Sequence, residues 1–313
     1  MTIFILAVDH RDSLRTWLGS LGVPAADTDR TARSLKTLCV RALDLGRDEL
    51  DADEMPMLLL DEEYGVDAIT EAKSLALQIV VPVERSGQAE FLFEHGDDFR
   101  RAIEAVDPDA VKALVRYNPA GDAATNRRSR SRLVVLQEYL RGSGRRFMLE
   151  LLVPATAEQR AAHDGDRFDE EIRPALTATA IEELASEGLR PDWWKLEGNR
   201  EPGAAVVVAT AAAQACDVGC LVLGRGQDRD RVIRWVQTAA AVEGFVGFAV
   251  GRMLGTDPFK AVVSGEIDER EAAGRIAAAY LDVAAAYRRA QPATPGTGQH
   301  QQPTFDARRG AGT

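Results

Sequence analysis

The residue best suited to covalent chemistry is a lysine set in a short apolar and aromatic run, Arg190-Pro-Asp-Trp-Trp-Lys-Leu-Glu197. Read as a β-strand, this run alternates its side chains between two faces, so Trp193, Lys195 and Glu197 share one side while Trp194 and Leu196 share the other. Apolar walls and a second nearby cation would lower the proton affinity of the Lys195 amine. The neutral amine attacks a carbonyl to form a Schiff base.

The same alternation places single charges on other apolar runs. Asp9 shares a face with Ile5 and Ala7, Asp61 and Glu63 with Leu59, Lys112 with Leu114 and Arg116, and Glu150 with Met148 and Leu152. An isolated buried charge costs several kcal/mol, so charges recurring on several strands need one another. Converging in one pocket, Lys112 beside Lys195 would depress the amine, Glu150 would shuttle protons through carbinolamine formation and dehydration, and Asp9 would hold or deprotonate a substrate hydroxyl. Two further runs, Leu221-Val-Leu-Gly-Arg-Gly226 and Gly247-Phe-Ala-Val-Gly-Arg252, end in Gly-Arg pairs. Gly224 and Gly251 permit close approach of the backbone to a phosphate, and Arg225 and Arg252 add forked contacts.

These residues need elements to carry them. Short apolar runs at 3–8, 57–60, 77–83, 110–117, 146–153, 192–197, 220–223 and 245–250 read as strands. Amphipathic stretches at 27–45, 67–74, 97–106, 122–141, 169–187, 204–216, 229–242 and 258–290 read as helices. Eight βα units predict a single α/β domain over residues 1–290, a (β/α)8 TIM barrel with its site at the C-terminal ends of the strands. An open sheet is the second choice. Residues 291–313, rich in Pro, Gly, Gln and Thr, are expected to form a disordered tail.

Composition limits the alternatives. A formal charge of −11 disfavours nucleic acid as a partner, and the Arg127–Arg132 cluster reads as the solvated start of a helix. No apolar run approaches the roughly 18 residues that span a bilayer, and Met1–Val8 lacks a basic leader. The odd cysteine count, three in all (Cys39, Cys216 and Cys220), fits a reducing, cytoplasmic compartment. Zinc chemistry is disfavoured because the four histidines, His10, His95, His163 and His300, do not read as a converging set. The expectation is no metal and no cofactor.

Taken together, Asp9-His-Arg11, Leu60-Asp-Glu-Glu-Tyr-Gly65, Val111-Lys112, Leu149-Glu150, Trp194-Lys-Leu-Glu197 and Gly251-Arg252 resemble the motifs of class I aldolases related to tagatose-1,6-bisphosphate aldolase. Phe147–Pro154, Pro191–Glu197 and Gly247–Arg252 resemble more closely the 5-dehydro-2-deoxy-phosphogluconate aldolase domain of inositol catabolism, over about residues 3–262. The resemblance implies a metal-independent lyase. Lys195 would form the Schiff base, Glu150 would relay protons, and Lys112 and Asp9 would poise the site. Arg252 would hold the phosphate of the dihydroxyacetone phosphate half, with malonate semialdehyde as the other product. Arg11, Asp61, Glu63, Glu197, Gly224, Arg225 and Gly251 complete the substrate-binding candidates. The partner is a small phosphorylated sugar, and barrels of this kind often assemble as homo-oligomers through their outer helices. His10 stands where the tagatose branch has glutamine, Thr256-Asp-Pro-Phe259 departs from the inositol domain, and the sugar kinase often found ahead of that domain is not in this sequence, so a stand-alone aldolase is expected. A ketose bisphosphate or sulfonated sugar phosphate is the alternative substrate, and a non-catalytic sugar-phosphate-binding barrel is the alternative role.

Overall fold

The structure, a computed structural model, describes residues 1–215 and 219–292. Eight parallel strands pair in sequence order and close on themselves: β1 (Thr2–Ala7), β2 (Glu54–Leu59), β3 (Gln78–Pro82), β4 (Ala110–Arg116), β5 (Arg146–Leu152), β6 (Trp193–Glu197), β7 (Gly219–Leu223) and β8 (Phe245–Val250). The expected (β/α)8 barrel is therefore observed, and the open sheet is excluded.

Twelve α-helices lie among the described residues, besides three short 3-10 or π turns: α1 (Asp12–Ser20), α2 (Ala25–Gly46), α3 (Glu62–Ser74), α4 (Phe99–Val106), α5 (Ala123–Ser143), α6 (Ala157–Ala162), α7 (Gly165–Arg167), α8 (Arg173–Ser186), α9 (Pro202–Ala215), α10 (Arg229–Ala240), α11 (Arg252–Val263) and α12 (Glu269–Ala290). Aspartates set several of their starts. The carboxylates of Asp61, Asp122, Asp228 and Asp268 accept from the backbone N–H of Tyr64, Thr125, Arg231 and Glu271 at 2.7–2.9 Å, satisfying donors that the first helical turn leaves open.

Strand alternation divides the core into two. Outward residues such as Phe4, Leu6, Leu149, Trp194, Leu196 and Phe248 pack against the helices. Inward residues, among them Ile3, Ile5, Met57, Met148, Trp193 and Leu221, fill the barrel as a separate apolar plug. The plug supports the charged layer above it.

Two expectations differ in detail. The segment after β1 holds two helices rather than one, because the short α1 buries only Leu18 fully and so carries a weak apolar signal; Trp17 lies on it, with its ring 6.5 Å from that of Phe259. Helix α3 begins at Glu62 instead of residue 67, which ends the strand alternation at Leu59. Cys216 and the expected tail from residue 293 onward lie outside the described residues. Among the described residues no helix is long and apolar enough to cross a membrane.

Candidate active site

The inward face of β6 carries Trp193 into the plug and Lys195 into the mouth above it. The β5–β6 register sets Glu150 beside Lys195, and their charged ends meet at 3.0 Å. On β4, Lys112 lies beside Met148, one inward position below Glu150, and its stem spans that step to bring Nζ within 3.1 Å of the same carboxylate oxygen. Asp9, just past the end of β1, contacts Lys112 at 2.7 Å. Lys195 and Lys112 are 4% and 1% exposed, so this is a buried ionic cluster, not a surface network. It forms the floor of a cavity of about 390 Å³ at the C-terminal ends of the strands, a volume within the usual range for small-molecule sites.

Glu84 completes the cluster and was not foreseen. It follows β3, touches Lys112 at 2.7 Å and accepts from the Leu114 backbone N–H at 3.1 Å. Extending the alternation from the inward Val80 through Pro82 would have found it, but the expected strand stopped at residue 83. Arg11 lines the mouth through contacts with the Glu84 carbonyl at 2.7 Å, the Glu84 carboxylate at 3.7 Å and the Glu94 carboxylate at 2.9 Å. Asp9, Glu84 and Glu150 thus face Lys112, Lys195 and Arg11, and the buried charges balance.

Burial disfavours every charge here, yet opposite neighbours outweigh it. The ammonium groups of Lys112 and Lys195 hold the carboxyls of Asp9 and Glu150 below their ordinary values. Asp9, Glu150 and Glu84 in turn hold Lys112 well above its own, so Lys112 is a permanent cation. Burial pushes His10 down to about 4 against the pull of Asp9, leaving a neutral imidazole at the rim. Glu150 Oε2 has its two lysine contacts but no aligned hydrogen bond, which makes it a buried acceptor available to a third partner.

The far side of the mouth is built from the ends of β7 and β8. A side chain at Gly251 would place its first carbon 1.6 Å from the Ala7 carbonyl oxygen, so only glycine lets β8 turn into α11 beside β1. Gly226, beside the Arg252 guanidinium, adopts φ +68°, a left-handed backbone conformation that favours glycine. Arg252 opens α11, whose N-cap Gly251 supplies no capping side chain, and among the described residues no carboxylate pairs with it. Gly224 and Arg225 also line the cavity, but Arg225 is committed to Asp169 at 2.8 Å and Glu197 at 2.9 Å.

Three of the sequence-derived candidates therefore play other parts. Glu197 lies on the Lys195 face of β6 as expected, but it accepts from the Val153 N–H and pairs with Arg225 and Arg173 outside the cavity lining. Glu63 is exposed on α3. Asp61 caps α3 and forms a buried ion pair with Lys36, because the helix begins where a strand would have turned these side chains inward. Lys36, which the sequence reading did not single out, donates to the carbonyls of Val8 and His10 at 2.7 and 3.0 Å and so anchors the backbone on both sides of Asp9. Asp61→Ala strands a buried ammonium and removes a helix cap, so it is expected to destabilise the fold by roughly 3–5 kcal/mol. The urea midpoint measures this, and a shift under about 1 kcal/mol would contradict the buried pairing.

The architecture has counterparts among solved structures. An archaeal fructose 1,6-bisphosphate aldolase superposes with a TM-score of 0.54 at 14% identity, covering 90% of this chain and 94% of that one. A Corynebacterium glutamicum protein gives 0.52 at 18% identity, with 90% and 86% covered. A Schiff base forming fructose-1,6-bisphosphate aldolase gives 0.50 at 13% identity, with 88% and 93% covered. At these identities the likeness shows the shared barrel. No curated protein matches the chain. The sequence does match a family profile across residues 1–291, and the chain accordingly belongs to the family described as uncharacterized protein conserved in bacteria (DUF2090).

Proposed function

We propose that the protein is a Schiff-base aldolase that cleaves a phosphorylated keto sugar acid, with 6-phospho-5-dehydro-2-deoxy-D-gluconate as the substrate the sequence motifs favour. The observation that carries this reading is the 3.0 Å contact between Lys195 and Glu150 in an enclosed mouth, next to a second lysine held permanently charged. An amine of this kind needs a base to take its ammonium proton and an acid to expel water from the carbinolamine. Glu150 does both in turn.

In the proposed sequence Lys195 Nζ attacks the C5 ketone, and the proton that Glu150 took from the ammonium goes to the departing hydroxyl, which leaves as water. The resulting iminium draws electrons from the C3–C4 bond as Asp9 takes the C3 hydroxyl proton. Malonate semialdehyde departs with the new carbonyl at C3, leaving an enamine on Lys195. Protonation at C4 and hydrolysis of the imine release dihydroxyacetone phosphate and restore the amine. Lys112 stays charged beside Asp9, Glu84 and Glu150, and returns Asp9 and Glu150 to their anionic forms between proton transfers.

The phosphate fits where Arg252, Gly224 and the first turn of α11 meet, since an open helix start and a forked cation both favour an oxyanion. Loss of charge-assisted hydrogen bonds of about 1.5–3 kcal/mol is expected in Arg252→Ala, raising KM roughly ten- to hundred-fold with kcat little changed. Steady-state kinetics with the cleaved substrate reads this split, and an unchanged KM would contradict it.

Borohydride treatment in the presence of dihydroxyacetone phosphate tests the reading as a whole. The expected result is a reduced adduct on the peptide carrying Lys195, absent without the ketone. Saturable binding of dihydroxyacetone phosphate with no adduct would instead favour a non-catalytic sugar-phosphate barrel.

A further inference from the structure

One cation in the mouth has no part in the steps above. Arg116 follows Lys112 and Leu114 on the inward face of β4 and lines the same cavity as Lys195 and Arg252. Its guanidinium donates to the Gln88 backbone carbonyl at 2.8 Å, in the loop that follows β3. Among the described residues no carboxylate pairs with it, which leaves most of its donors without a partner. Its neighbours in the lining Arg11 and Arg225 do have acidic partners, and the cavity itself contains four carboxylates, Asp9, Asp12, Glu84 and Glu150, that Arg116 does not engage.

Its place around the barrel gives the vacancy a meaning. In a closed ring of eight strands taken in order, β4 lies opposite β8, and β6 lies midway between them on one side. Arg252 begins α11 directly after β8, Lys195 is on β6 and Arg116 ends β4. A linear molecule running from Arg252 across to Arg116, with an anionic group at each end, therefore crosses the middle of the mouth, which Lys195 lines from the β6 side.

We infer that Arg116 is a specificity-determining residue that receives a carboxylate at the end of the substrate remote from its phosphate. The inference rests on the aldolase reading for its substrate and on the unpaired guanidinium for its site. A planar fork matches a planar carboxylate with two parallel charge-assisted bonds, an arrangement Lys cannot reproduce. Selection arises because a neutral chain end would leave the half-buried cation with only the Gln88 carbonyl, whereas a carboxylate neutralises it.

Three unreactive six-carbon probes separate the contributions: 6-phosphogluconate, with phosphate and carboxylate at its ends; glucitol 6-phosphate, lacking the carboxylate; and glucitol 1,6-bisphosphate, carrying a second phosphate. Calorimetric titration of the full chain is expected to show 6-phosphogluconate binding roughly ten- to hundred-fold more tightly than glucitol 6-phosphate. In Arg116→Gln that difference should collapse while the affinity for glucitol 6-phosphate stays within about twofold, and Arg116→Lys should recover only part of it. Equal affinities in the parent protein, or a difference that survives Arg116→Gln, would overturn the inference. Tighter binding of the bisphosphate than of 6-phosphogluconate would overturn the assignment to a carboxylate. Borohydride trapping of dihydroxyacetone phosphate, which has no second anion, should be unaffected in Arg116→Gln. Failure of trapping in the parent protein would count against the aldolase reading, and loss of trapping in this variant alone would count against a role confined to specificity.

Discussion

Lys195→Ala is expected to reduce aldol cleavage by on the order of 10⁴-fold or more while the barrel remains folded. A Schiff base replaces one difficult carbon–carbon scission by several easier steps, and no other group in the mouth can supply it. Lys112 is the nearest amine, but Asp9, Glu84 and Glu150 hold it charged and therefore without a lone pair to donate. Truncation at 195 also leaves Glu150 with a cation, since Lys112 stays at 3.1 Å, so the variant does not strand an unpaired buried carboxylate. That is why activity and stability should separate here, whereas Asp61→Ala removes the carboxylate partner of Lys36. Turnover of the substrate, together with far-UV circular dichroism and the urea midpoint, measures both. Activity within tenfold of the parent would remove Lys195 from the mechanism.

The barrel was legible because its strands are short apolar runs that alternate with amphipathic helical stretches, and because parity alone decides which side chains face inward. Lys112, Glu150 and Lys195 follow from that rule, which holds as long as the chain remains extended. Where it failed, the backbone had changed conformation. Asp61 and Glu63 were assigned inward by continuing a strand across the start of α3, and the helical turn rotates Glu63 to solvent while using Asp61 as cap and ion-pair partner. Glu84 failed in the opposite sense, because the inward alternation continues past the expected strand end and one more step reaches it. The partner choice of Arg225 and Arg252 was not legible at all. The two Gly-Arg pairs look alike in sequence, but Arg225 faces Glu197 on β6 and Asp169 in the turn ahead of α8, and only the fold shows that one guanidinium is neutralised and the other is not.

Glu150→Gln should be the most damaging change that preserves shape. Glutamine fills the same volume beside Lys195 and Lys112 but accepts no proton, so the amine is not freed and the carbinolamine hydroxyl leaves without acid assistance; a loss of roughly 10²–10⁴-fold in kcat is expected. The pH dependence should identify the group. Burial works to raise the Glu150 carboxyl from its ordinary value of 4.5, but Lys112 and Lys195 prevail and hold it lower, so the parent should keep its acid-side activity below the usual carboxylate range. A carboxyl depressed by folding contributes stability that is fully present above its unfolded value and is lost as pH falls through its folded one. The stability difference between parent and Gln variant should therefore be widest near neutrality and narrow on acidification. Asp9 and Glu84 also touch Lys112, so the fold should tolerate the change, and any residual acid limb in the variant would belong to Asp9. If Glu150→Gln retained the parent's rate and acid limb, proton transfer would have to be reassigned to Asp9, the other carboxylate of the mouth that both lysines hold ionised.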